Sequence, residues 1–293
     1  MTGLEDIDAL ALAAICAKAM GYGAALVAMG GVFFAAAFAR HADPQILRLA
    51  RRMAAVAACI GLAVLALRFG IRAARISGTG ISGATDPMML SFVWQSPLGT
   101  AAIWRGIGGA AVLTILLPGL IGRIVPLIGS VAIASSYTLV GHSLGDPRLV
   151  LAGLLTVHLL AAAFWIGALL PLYRAARTSQ GAALLHRFGD LAVWSVGALA
   201  VAGVALTWLL SGSLSAIFAT AYGLTLLTKV LIVALLLAMA AGNKWLLVPA
   251  LSADRPGAGT ALRRSILAEG VAVVLILLVT ATVTTVTIPP VNL

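Results

Sequence analysis

The chain has 293 residues, 62% of them hydrophobic and 10% charged, and carries a formal net charge of +10. No water-soluble core of this length uses so much apolar side chain, so the composition excludes a soluble globular domain and calls for several membrane-crossing helices. In such a chain basic residues encode orientation, which removes nucleic acid as the reason for the positive charge.

In chain order, the opening stretch MTGLEDIDAL is acidic and lacks the positive segment of a cleaved signal peptide. Eight apolar segments come after it, at about 9–38, 53–75, 98–118, 124–143, 149–171, 187–210, 223–243 and 264–286, each long enough to span a bilayer. Cys16 and Cys59 lie inside the first two and do not form the pattern of a disulfide framework. A capping side chain followed by proline marks several helix starts: Asp43-Pro44, Ser96-Pro97 and Asp146-Pro147. Asp86-Pro87 does the same for PMMLSFVWQ, a short helix expected to lie at the membrane interface. The longest linkers, 76–97 and 244–263, are too short for a soluble domain that folds alone. The expected fold is all-α: a polytopic membrane helical bundle of about eight spans forming one membrane domain over residues 1–293.

Basic residues set the direction. Arg40, Arg48, Arg51, Arg52, Arg123, Arg174, Arg177, Arg187, Lys244, Arg255, Arg263 and Arg264 fall on one side; Arg72, Arg75 and Arg148 fall on the other. The rich side is the cytoplasmic one, so both termini are expected to face outward, to the periplasm.

Orientation gives each unusual side chain a depth. His142 ends span four at the outer face, and His158 lies roughly 13 Å into span five. Trp165 returns to the face of His158 two turns later, within about 20°. Cys16 and Met20 are one turn apart in the outer half of span one, and Met88 and Met89 sit on the interfacial helix. Imidazole, thioether and thiolate are the donors that soft Cu(I) prefers, whereas hard cations want carboxylates, which are scarce here. The bland readings are packing for Cys16, Met20 and Trp165, anchoring for Met88 and Met89, and solvation for His41 and His186. An imidazole inside a span favours function, because ionisable groups in the membrane are costly. Spacings such as Gly99, Gly106 and Gly109 indicate close helix packing at most. Lys18, Arg68, Arg105 and Lys229 also fall within apolar runs; Arg105 and Lys229 are shallow enough to snorkel outward. Glu269 lies too far in depth from Lys229 to pair with it, and nearer to Asn243 and Lys244.

Several stretches together resemble the copper resistance D (CopD) membrane family. They are GHS with VHLLAAAFWIGALLPL, HRFGDLAVWSVGALAVAGVALTW, LSAIFATAYGLTLLTKVLIVALLLAMAAGNKWLLVPAL, and ALRRSILAEGVAVVLILLVTATVTT. The resemblance runs over about residues 98–286; the first ninety residues match only in general hydropathy. It implies an inner-membrane protein that passes copper from periplasm to cytoplasm, with the bilayer and a separate periplasmic CopC-like chaperone as partners; the soft donors make Cu(I) the expected form. No fused CopC domain is expected. His142 and His158 carry over as metal ligands; Met88, Met89, Met20 and Cys16 are expected as further soft contacts from their sulfur donors, not from the resemblance. Lys229, Asn243 and Glu269 carry over as motif positions without an assigned role.

Two other readings compete. Paired histidines in a helical bundle also ligate haem, and Arg105 and Lys229 would then meet its propionates. A copper sensor or assembly factor would bind without transporting. An enzyme is not expected: Ser143 beside His142 lacks a base-and-acid arrangement, and neither a phosphate-binding glycine loop nor room for an ATPase domain is present.

Overall fold

A computed structural model of the chain describes residues 8–141, 146–178, 181–211, 218 and 221–286. The helices are α1 (Ala9–Ala37), α2 (Pro44–Ser77), α3 (Pro87–Gln95), α4 (Pro97–Leu113), α5 (Ile121–Ser136), α6 (Arg148–Ala175), α7 (Ala182–Ser211), α8 (Ala221–Gly242), α9 (Val248–Ser252) and α10 (Ala258–Val286). No strand occurs among the described residues. Eight segments are long and apolar enough to cross a membrane: Ala9–Ala37, Pro44–Ser77, Pro97–Leu116, Ile121–Leu139, Arg148–Ala175, Ala182–Leu209, Gly223–Ser252 and Ala258–Thr285. The expected all-α membrane bundle is therefore the fold.

Three of the four expected caps are made. Asp43 accepts from the Gln45 N–H at 2.6 Å, Asp86 from Met88 and Met89, and Ser96 from Leu98. Each occupies one of the amide groups that a helix start leaves free. Asp146 does not cap α6; the N-cap is Pro147, with no side-chain bond. The second span starts at Pro44 rather than near 53, and the last at Ala258 rather than near 264. The reason is the same at both: the arginine-bearing turns that hydropathy cuts off remain helical beyond the apolar stretch.

α1 packs against α2, α5, α6 and α10, so both halves of the chain rest on it. Lipid is as apolar as leucine, so membrane helices gain most from close backbone approach at small residues. The α1–α6 crossing shows this. Gly30 and Gly167 face each other so closely that a methyl group on either would overlap the other's backbone. Gly108 of α4 stands in the same relation to Gly129 of α5. Among the glycines singled out by spacing, Gly109 does pack on α2, against Leu62, but Gly106 meets nothing within 4 Å.

α1 begins and α10 finishes at one end of the bundle, the near end. It also holds the last turns of α2, the start of α4 and α3, whose Trp94 ring lies 5.9 Å from Phe69 of α2. Toward the opposite, far end, Phe38 gathers Phe34, Phe164 and Phe188 within 6.4 Å. Leu172, Leu184, Leu185, Leu251 and Leu262 complete that cluster.

Candidate functional site in the helical interior

α6 presents two polar side chains to the interior on one face, His158 and, seven residues on, Trp165. The His158 imidazole lies between α6 and α7. A side chain at Gly203 would touch it: a methyl there would stand 3.6 Å from Cε1 and 3.7 Å from Nδ1. Glycine at 203 thus makes room for the ring. The ring faces the Leu199 backbone and feels the charge of Lys229 on α8. Nδ1 is enclosed and makes no well-formed hydrogen bond. A buried imidazole nitrogen without a hydrogen-bond partner is the form in which histidine ligates metals.

About 10 Å further along α6, a second group is closed from all sides. Glu269 of α10 is 4% exposed, Trp165 6% and Asn243 9%. The Trp165 Nε1–H donates to Glu269 Oε2 at 3.2 Å, and the Asn243 Nδ2–H donates to Oε1 at 2.5 Å. Asn243 Oδ1 is buried and receives no hydrogen bond. Asn243 opens a single π-helical turn, Asn243–Leu247, in which the Val248 N–H reaches back to the Asn243 carbonyl. Such turns hold one extra residue and recur at functional sites. Lys244, the next residue, leaves in another direction and donates to the Gly189 carbonyl and to Asp190, both at 2.9 Å. By depth, Asn243 and Lys244 were expected nearer to Glu269 than Lys229. Asn243 takes the carboxylate, and Lys244 takes Asp190 instead.

A third group is cationic and lies at the near end. Arg68, Arg105 and Tyr137 line a cavity of about 40 Å³ between α1, α2, α4 and α5. The Arg105 guanidinium stacks 3.9 Å over the Tyr137 ring, and its Nε–H donates to Ser136 Oγ at 2.9 Å. Lys18 donates to the Thr284 carbonyl at 2.6 Å, and Tyr22 pairs with Thr284 Oγ1 at 3.3 Å. Arg105 does not snorkel outward as its depth suggested. An aromatic face and a hydroxyl inside the bundle hold its guanidinium instead.

The expected soft donors are dispersed. Cys16 and Met20 are exposed, one turn apart, on a face of α1 turned away from the bundle. Met88 is exposed and Met89 half-buried at the start of α3. His142 lies outside the described residues. Among the described residues no three His, Cys, Asp or Glu side chains converge on one point. Met239 packs into the cluster of Leu236, Ala272 and Val273, one turn before Asn243. The Trp165–Glu269 bond escaped the sequence reading, because nothing local connects residues 104 positions apart. The available signal was the shared face of His158 and Trp165.

Two family models match the chain. One, described as Copper resistance protein D, matches residues 182–283, which hold Lys229, Asn243 and Glu269. The other, described as Copper resistance protein D-like, N-terminal domain, matches residues 7–149 and so includes all but six of the first ninety residues as well as His142. His158 and Trp165 fall between the two matched segments. No curated protein and no solved structure matches the chain significantly. With one model on the helices before α6 and the other on those after it, the chain belongs to the copper resistance protein D family.

Proposed function

We propose that this protein carries copper across the bacterial inner membrane, from periplasm to cytoplasm, as Cu(I). In this reading the near end and both termini face the periplasm, and the protein is a conduit rather than an enzyme. His142 receives copper at the mouth, where Met88 and Met89 add soft thioether donors, and His158 takes it into the bundle by ligand exchange. Cys16 and Met20 face away from the bundle and have no place in this path. A separate CopC-like chaperone delivers the metal. The observation that carries the proposal is His158 itself: an imidazole inside a span of a copper-family protein, seated against Gly203, with Nδ1 not held by a hydrogen bond.

The test is copper uptake into sealed vesicles containing the purified protein under reducing conditions. Uptake is expected in the wild type, to be lost in His158→Ala and reduced in His142→Ala. Uptake unchanged in both variants overturns the proposal; copper binding without any uptake replaces transport by a sensing or assembly role.

A further inference from the structure

We propose that Glu269 is a proton-binding site in the membrane interior, holding a proton in the resting protein and releasing it as copper passes. The second half of this proposal rests on the transport reading; the first does not.

The surroundings of the carboxyl group are apolar or neutral. Glu269 is almost fully enclosed, and the partners that touch its oxygens, Trp165 Nε1–H and Asn243 Nδ2–H, carry no charge. An ionised carboxylate removed from water requires a countercharge as well as hydrogen bonds. None of the elements packed on α10 brings one to it. α6 offers His158, about 10 Å along the helix from Trp165, and Tyr173; its Arg148 and Arg174 are exposed, and Arg174 lies about 180° around the helix from Trp165. α8 offers Lys229, whose charge acts on His158, and the chain has no ionisable residue between it and Lys244. Lys244 is engaged with Gly189 and Asp190. On α10 itself, Arg263 donates to Tyr173 Oη at 2.6 Å with its guanidinium 4.4 Å over that ring. It sits six residues before Glu269, about 240° around the helix, and Arg264 is exposed. Between Tyr22 and Arg40 the chain has no ionisable residue, so α1 contributes none there, and α9 (VPALS) has none either. The described residues therefore leave Glu269 without a cation.

A proton neutralises the group in the space available. A metal ion would face the two N–H hydrogens already aimed at the carboxylate. A proton occupies one of the lone pairs those donors leave free. Asn243 is suited to both protonation states. Its Nδ2–H donates to the ionised carboxylate. Turned over, its Oδ1, now enclosed without a donor, accepts the carboxyl O–H instead. An amide can do this and a lysine or a leucine cannot. The exchange balances charge: one proton leaves Glu269 toward the side from which one Cu⁺ enters, so no net charge accumulates in the bundle.

Infrared difference spectroscopy of the purified protein in lipid tests the site without copper. A protonated carboxyl C=O band at neutral pH is expected, absent in Glu269→Gln and displaced in Glu269→Asp. Glu269→Gln has the size and hydrogen-bonding capacity of the protonated acid and is expected to fold. Absence of the band, or a band unchanged in Glu269→Gln, overturns the proton site. Vesicles holding a pH-sensitive dye test the exchange. Cu(I) addition is expected to drive protons out in the wild type and not in Glu269→Gln. Proton movement unaffected by that substitution overturns the exchange. Absence of copper movement in the wild type overturns the transport reading and the exchange with it, while the proton site stands or falls on the infrared band alone.

Discussion

The two charged regions of the bundle face the same difficulty and resolve it differently. At the near end Lys18, Arg68 and Arg105 bring positive charge together beside a cavity. Deeper in, Glu269 brings one carboxyl group into a closed space. Neither region uses an ion pair; the ion pair found among the described residues is Lys244–Asp190, toward the far end. The cations have long stems, so they reach a backbone carbonyl, a hydroxyl and an aromatic face, any of which can be exchanged for water. The carboxyl group has a short stem, and its partners must come to it from two other helices. Positive charge in this bundle is adjustable, and the position of the acidic group is fixed by architecture.

The most disruptive way to break this comparison is to separate the helices that frame it. Gly30→Leu or Gly167→Leu puts a side chain where two backbones meet, and is expected to cost about 3 kcal/mol or more, read as loss of folded protein on thermal unfolding in detergent. Wild-type stability in either variant would mean that the two backbones do not touch at the α1–α6 crossing.

Next comes the fixed carboxyl group. Glu269→Ala strands the Trp165 and Asn243 donors and is expected to cost about 2–6 kcal/mol, against about 1 for Glu269→Gln, which keeps an acceptor. Equal midpoints for the two variants would show that the hydrogen bonds do not hold this region together.

The adjustable charge should yield less. Arg105→Ala removes the stacking on Tyr137 and the Ser136 bond for about 1–3 kcal/mol, whereas Tyr137→Phe, which keeps a ring face, stays within about 1. If the phenylalanine variant is the weaker protein, the guanidinium owes its position to something other than the ring. Smallest of all is Asp190→Asn at the exposed ion pair, where no measurable change in midpoint is expected at physiological salt. A loss there that grows as salt is lowered would make this pair a third structural charge.

Much of this was legible in the sequence. Hydropathy marks all eight spans, and the Asp-Pro and Ser-Pro steps at 43, 86 and 96 mark helix starts, because both signals are local. Depth alone brought Asn243 toward Glu269 and kept Lys229 away. The inward turn of Arg105 was not legible, since snorkelling presumes lipid around the residue, and the aromatic ring that captures it is 32 positions away. The π turn was hidden as well: an i+5 bond leaves the same apolar residues in the same order as an i+4 bond. Nor does any pattern link Trp165 to Glu269, since a tryptophan donor needs only one acceptor within reach.

That π turn bears on how the protein tolerates change. One extra residue lets Asn243 point to Glu269 while Lys244 points to Asp190. Deleting one residue from 244 to 247 would restore an uninterrupted α-helix and leave α9 near its present register, because a π turn takes about one more residue than an α turn to complete the same rotation. A one-residue deletion in this turn should therefore be better tolerated than one in the α-helical turns on either side, where it would rotate everything beyond it by about 100°.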